Sequence, residues 1–143
     1  MAQTIKIKYL RDIHKIEKIN AGDRIDLRAA ETIKLKKGEF RMIPLGVAMQ
    51  LPKGYEALIA PRSSTFKRHG ILLANSIGVI DESYCGSDDE WHFPAIALKR
   101  TTIHKNDRIC QFRILRHQPD IDFVEVAILN NPNRGGLGST GVV

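Results

Sequence analysis

The feature that most constrains this chain is a period of two. Ile5, Ile7 and Tyr9 alternate with Lys6 and Lys8, and Ile33 and Leu35 alternate with Lys34 and Lys36. Successive side chains on a strand point to opposite faces, so this alternation suits strands with one buried and one wet face. The apolar spacing that a helix needs is poor nearly everywhere. Residues 92–98 (HFPAIAL), 108–115 (RICQFRIL) and 121–128 (IDFVEVAI) read as further strands. Proline and glycine interrupt at Lys37-Gly38, Pro44, Pro52-Lys53-Gly54, Pro61 and Gly70. Short strands separated by such turn signals predict an all-β barrel or sandwich. Two helical pieces are expected. One covers residues 11–19; the other is a single turn over 63–69, with Ser63 or Ser64 as N-cap and Gly70 at C′.

A chain of 143 residues points to one domain. At that size roughly 68–70% of the unfolded surface is buried, so no disulfide staple is required. The two cysteines, Cys85 and Cys110, lie in unrelated contexts and form no CxxC or Cys/His ligand spacing. They read as reduced, partly buried thiols, and a structural zinc site is not expected. The N-terminus lacks the apolar core of a signal peptide, and no window approaches a membrane span, so the expected location is cytoplasmic. The formal charge of +6 suits an anionic ligand. The lysines are scattered rather than gathered in blocks, and no aromatic interleaving follows a basic face. Direct nucleic-acid binding is therefore not expected.

Five segments carry residues that bear on nucleotide chemistry. Arg62 precedes Ser63 and Ser64 at a helix start, where free N–H groups, hydroxyls and a guanidinium can meet an anion. The tail repeats the combination: Arg134 is followed by Gly135, Gly136, Leu137, Gly138, Ser139 and Thr140. Glycines there let backbone N–H groups approach a phosphate, though no Walker pattern is present. By composition this tail reads as mobile when alone, and as a lid when it folds over a triphosphate. In the segment Asn75 to Tyr84, the Asn75 amide can read a base edge. Asp81 ends an apolar run and can act as a general base, and Tyr84 can pack flat on a sugar. Asp81 also fits a turn-former, and Tyr84 a core residue. Gln111, among apolar neighbours on a strand, is either satisfied internally or aimed at a ligand. Asp26 reads as a strand or turn carboxylate.

Taken together and in order, these segments resemble the five motifs of the trimeric dUTPase family. They are AGDRIDLRAA (21–30), PRSS (61–64), NSIGVIDESYCG (75–86), RICQ (108–111) and RGGLGSTG (134–141). The resemblance implies a β jelly roll (β-clip) over residues 1–129 that forms a homotrimer with active sites at subunit interfaces. Residues 130–143 would be a glycine-rich lid. It implies hydrolysis of dUTP to dUMP and diphosphate, with Mg²⁺ carried by the triphosphate. Asp81 would activate the water attacking the α-phosphorus. Asn75 and the backbone at Val79 and Ile80 would read uracil, and Tyr84 would lie under the deoxyribose. Arg62, Ser63, Ser64, Gln111, Arg134, Ser139 and Thr140 would hold phosphates, and Asp26 would reach the metal through water. A metal held mainly by substrate phosphates needs few protein carboxylates.

Three departures stand out. Leu137 occupies the position where the fifth motif usually carries an aromatic residue that stacks on uracil. The stretch SDDEWHFPA (87–95) is longer and more aromatic than expected, so Trp91, His92 or Phe93 are alternative base covers. Cys85 and Cys110 stand where Arg and Ala are usual. Two other readings remain open at this stage: a dCTP deaminase-like enzyme on the same jelly roll, and a regulatory module that binds a protein partner through the acidic, aromatic stretch at 87–93.

Overall fold

The computed structural model describes residues 2–136. The chain is almost entirely β. Its strands are β1 (Lys6–Tyr9), β2 (Ile25–Arg28), β3 (Ile33–Leu35), β4 (Phe40–Pro44), β5 (Val47–Gln50), β6 (Tyr55–Pro61), β7 (Ile71–Leu73), β8 (Gly78–Ile80), β9 (His92–Ala97), β10 (Thr101–Ile103) and β11 (Arg108–Arg116). One short helix, α1 (Thr65–His69), lies between β6 and β7. All pairings are antiparallel. The largest sheet runs β2-β11-β6-β8, a second runs β4-β9-β7, and β1-β5 and β3-β10 form two-stranded pieces. Non-consecutive neighbours dominate, as expected where strands cross between two packed sheets.

Alternation sets the core. On β9, His92, Pro94 and Ile96 are half-exposed while Phe93, Ala95 and Ala97 are buried. β11 repeats the pattern more loosely, with Ile109, Cys110 and Phe112 inside. Trp91 packs edge-on against Phe112 at 5.3 Å between ring centroids, among Leu27, Ile43, Val47 and Ile59. Edge-to-face geometry places a positive ring edge on a negative ring face and adds to the burial.

Two elements differ from expectation. Residues 11–19 form no helix. Ile13 is drawn into the core, and the backbone amides there find side-chain acceptors. His14 N–H donates to Asn106 Oδ1 at 2.8 Å and Ile16 N–H to the Tyr9 hydroxyl at 2.7 Å. Burying that apolar side chain and using those acceptors replaces the intrahelical ladder. Residues 121–128 form no strand, and Phe123 is 96% exposed. The alternation is real, but a strand needs a neighbour, and among the described residues none lies beside this arm.

The single turn at α1 forms as expected, with Gly70 at φ +63° closing it in the left-handed conformation that glycine adopts readily. A side chain there would also meet Lys99. Ser64 is the N-cap, yet its hydroxyl makes no capping bond. Thr65 does the local work instead: its hydroxyl accepts from Arg62 N–H at 2.8 Å and donates to the Ile109 carbonyl at 2.8 Å. Among the described residues no helix is long and apolar enough to cross a membrane. Cys85 is exposed rather than partly buried. Cys110 is fully buried, and burial pushes its thiol well above the ordinary range.

Candidate active site

The candidate residues fall into two groups. The first is assembled by strand register. On β11, Gln111 sits opposite Asp26 of β2 on one side and Ala60 of β6 on the other. Gln111 Nε2 donates to the Pro61 carbonyl at 3.0 Å, so the end of β6 is tied to β11 just before Arg62. The Arg62 guanidinium turns back to Asp26, with Nε 3.1 Å from Oδ1, and Arg108 Nη1 lies 3.6 Å from Oδ2. Ser63 is exposed and Ser64 half-buried beside them. Residues far apart in sequence thus form one cluster in which two arginines flank a single carboxylate. α1 has only one turn, so its dipole adds little; the arginines and the amides supply the charge complement.

The second group surrounds a cavity of about 460 Å³ lined by Asn75, Val79, Ile80, Asp81, Tyr84 and His92, with Ile59, Leu73 and Trp91 behind. β8 is the edge of its sheet, paired only with β6 among the described residues. Its outer backbone edge is therefore available to a ligand, and an edge strand offers alternating donors and acceptors. Asp81 is exposed at the end of β8. Hydrogen bonds from the Ser83 hydroxyl and amide hold its carboxyl below the ordinary carboxylate range, and His117 adds a smaller pull in the same direction. Tyr84 is not a core residue. Its ring is exposed, and its hydroxyl donates to the Glu90 carbonyl at 2.8 Å.

The 87–93 stretch is corrected in part. Trp91 and Phe93 have no exposed surface, so neither can cover a base without leaving the core. His92, at the start of β9, is the one of the three that is half-exposed and lines the cavity. The acids nearby are also employed locally. Asp89 Oδ2 accepts from Gly86 N–H at 2.8 Å and Glu90 Oε2 from Gly46 N–H at 2.9 Å. Arg134 is exposed; Leu137, Ser139 and Thr140 lie outside the described residues.

The two groups share no lining residue. Their separation follows from register. Ile80 pairs with Ala57, so Asp81 lies level with the start of β6, whereas Arg62 follows its end. Six strand residues at about 3.3 Å each separate those levels by roughly 20 Å.

The dUTPase family profile matches residues 8–141, nearly the whole sequence. The chain belongs to the dUTPase family. Among its relatives in this family, the SPbeta prophage-derived deoxyuridine 5'-triphosphate nucleotidohydrolase YosS of Bacillus subtilis (strain 168) is 59% identical over 138 residues, covering 96% of this chain and 97% of the relative. The deoxyuridine 5'-triphosphate nucleotidohydrolase of Finegoldia magna is 42% identical over 123 residues, covering 82% and 83%. Among solved structures, a Staphylococcus bacteriophage 80alpha dUTPase mutant with dUpNHpp superposes with a TM-score of 0.78 at 22% identity, covering 99% of this chain and 100% of that one. A mutant dUTPase from phage phi11 of S. aureus, described with a structural Mg(II) ion, gives a TM-score of 0.75 at 19% identity, covering 87% and 98%. The all-β jelly roll expected for a dUTPase subunit is the fold found.

Proposed function

We propose that the chain hydrolyses dUTP to dUMP and diphosphate. The reading rests on membership of the dUTPase family, and the observation in the fold that supports it best is the cavity beside the open edge of β8. Asn75 and the free backbone of Val79 and Ile80 stand where a uracil edge can exchange hydrogen bonds. Tyr84 forms the wall on which a deoxyribose packs, and its fixed hydroxyl leaves the ring no freedom to retreat from a 2′-hydroxyl. His92 is the residue suited to cover the base.

Asp81 is the general base. A water oxygen bonds to the α-phosphorus as the bridging P–O bond breaks, diphosphate leaves with the electron pair, and Asp81 takes the proton. Such a displacement needs positioning and charge neutralisation more than a covalent nucleophile. Arg62, Ser63, Ser64 and Gln111 supply the donors for phosphate oxygens, joined by Arg134, Ser139 and Thr140 from the 130–143 segment acting as a lid.

Magnesium enters with the nucleotide. Among the described residues no three metal-binding side chains are gathered. Asp26 already faces Arg62 and Arg108, so it fits contact through metal-bound water rather than direct ligation. When bound, the ion neutralises charge on the phosphate oxygens.

The working unit is a homotrimer. Asp81 and Arg62 of one chain stand at opposite ends of β6, roughly 20 Å apart by strand rise, which is too far to serve one triphosphate. Base pocket and phosphate patch must then come from different copies. Residues 121–128, with exposed Ile121, Phe123, Val124, Val126 and Ile128 and no pairing strand among the described residues, supply an arm for a neighbouring copy. Hydrolysis in heavy-oxygen water tests the chemistry: the label is expected in dUMP, and label in diphosphate would contradict attack at the α-phosphorus.

A further inference from the structure

Ser83 spends both its donors on one atom. Its amide donates to Asp81 Oδ2 at 2.9 Å, and its hydroxyl donates to the same oxygen. Neither Ser83 bond falls on Oδ1, the Glu82 amide adds only a smaller pull on the carboxyl, and Asp81 lines the cavity together with Ser83. A carboxylate free to rotate would present either oxygen. With Oδ2 fixed twice, the group has one orientation and one open acceptor.

We propose that Ser83 is a positioning residue for hydrolysis, locking the Asp81 carboxylate so that Oδ1 alone meets the attacking water. This rests on Asp81 being the general base. The other charged groups beside Asp81 are engaged with each other. Glu82 accepts from Gly54 N–H at 2.8 Å and faces His117 Nδ1 at 3.8 Å, where β11 ends. The His117 charge acts on Asp81 through space, and the Glu82 amide contributes less than either Ser83 bond. Neither can replace Ser83.

Hydrogen bonds to a carboxylate favour its charged form. Removing one therefore raises the pH at which Asp81 takes a proton, and the base is lost earlier as pH falls. Ser83→Ala deletes the hydroxyl bond and keeps the amide bond. Ser83→Thr keeps both. The test is steady-state dUTP hydrolysis by the full chain with Mg²⁺ across acidic to neutral pH, with melting temperatures checked for both variants. Ser83 is exposed, so both are expected to fold.

The expected result for Ser83→Ala is kcat lower by roughly tenfold or more, as for a misplaced catalytic group. KM stays within about twofold, since no binding contact is lost. The acid limb of kcat moves to higher pH, and Ser83→Thr restores both rate and limb. An alanine variant with unchanged kcat and unchanged limb overturns the proposal. So does a loss that appears in KM and is not rescued by threonine, which marks a merely structural turn. Failure of the unaltered protein to hydrolyse dUTP would instead remove Asp81's role and the functional reading together.

Discussion

Tyr84 and His92 meet on one atom. The Tyr84 hydroxyl donates to the Glu90 carbonyl oxygen at 2.8 Å, and His92 Nδ1 lies 2.9 Å from the same oxygen. Glu90 is itself held by Gly46 N–H at 2.9 Å and by Arg11 at 3.2 Å. Two walls of the cavity therefore share one anchored support, and the proposed site uses the His92 imidazole as its base cover. Base–aromatic stacking is worth about 1–3 kcal/mol. Replacing His92 by alanine is expected to raise KM for dUTP by roughly fivefold to a hundredfold with kcat nearly kept, while His92→Phe binds at least as well. Unchanged KM in the alanine variant would show that the imidazole does not cover the base.

Trp91 and Phe93 flank His92 in sequence and do a different job. Both are fully buried, and Trp91 packs on Phe112. Trp91→Ala is expected to cost about 3–5 kcal/mol of stability, the range for emptying a large aromatic site. Denaturant unfolding measures it. A loss below about 1 kcal/mol would contradict the core assignment.

Arg62 and Asp26 form a charge pair, and in the proposed site this arginine is the leading phosphate ligand. Arg62→Ala removes a charge-assisted contact worth about 1.5–3 kcal/mol, so kcat/KM for dUTP is expected to fall roughly tenfold to more than a hundredfold. Asp26→Asn keeps Arg62 in place through a neutral acceptor and is expected to lose less, with the loss showing mainly in the Mg²⁺ dependence. An arginine variant with full activity would place the phosphates elsewhere.

In the proposed trimer, residues 121–128 serve assembly and the glycine-rich tail serves chemistry, and two truncations separate the roles. Truncation after His117 removes the arm and is expected to abolish the trimer in sedimentation measurements. Truncation after Leu129 spares the arm, so the trimer persists while activity falls through loss of Arg134, Ser139 and Thr140. A monomer from the shorter deletion, or a trimer from the longer one, would reverse these roles.

Much of this was legible in the sequence because a period of two is visible without knowing partners. β1, β3, β9 and β11 fall where alternation placed them. The turn at Thr65–His69 was marked by its own cap residues. What failed depended on partners outside the local window. Residues 11–19 have helix-compatible spacing, but Tyr9 and Asn106 capture their amides. Residues 121–128 alternate as a strand should, yet among the described residues no strand lies beside them to pair with. In the site, Gln111, Asp26 and Arg62 could be picked out singly, and only register showed them to be neighbours. Ser83 was missed because a serine two residues after an aspartate looks like turn chemistry; the proposed role rests on both donors meeting one oxygen, which only the structure shows.

The central claim is tested most directly by diphosphate release from each of the common deoxynucleoside triphosphates and from dUTP, with and without Mg²⁺. The account predicts rapid release from dUTP, strong dependence on Mg²⁺, little turnover of dTTP or dCTP, and loss of dUTP turnover in Asp81→Asn. No diphosphate from dUTP, or ammonia released from dCTP, would contradict it.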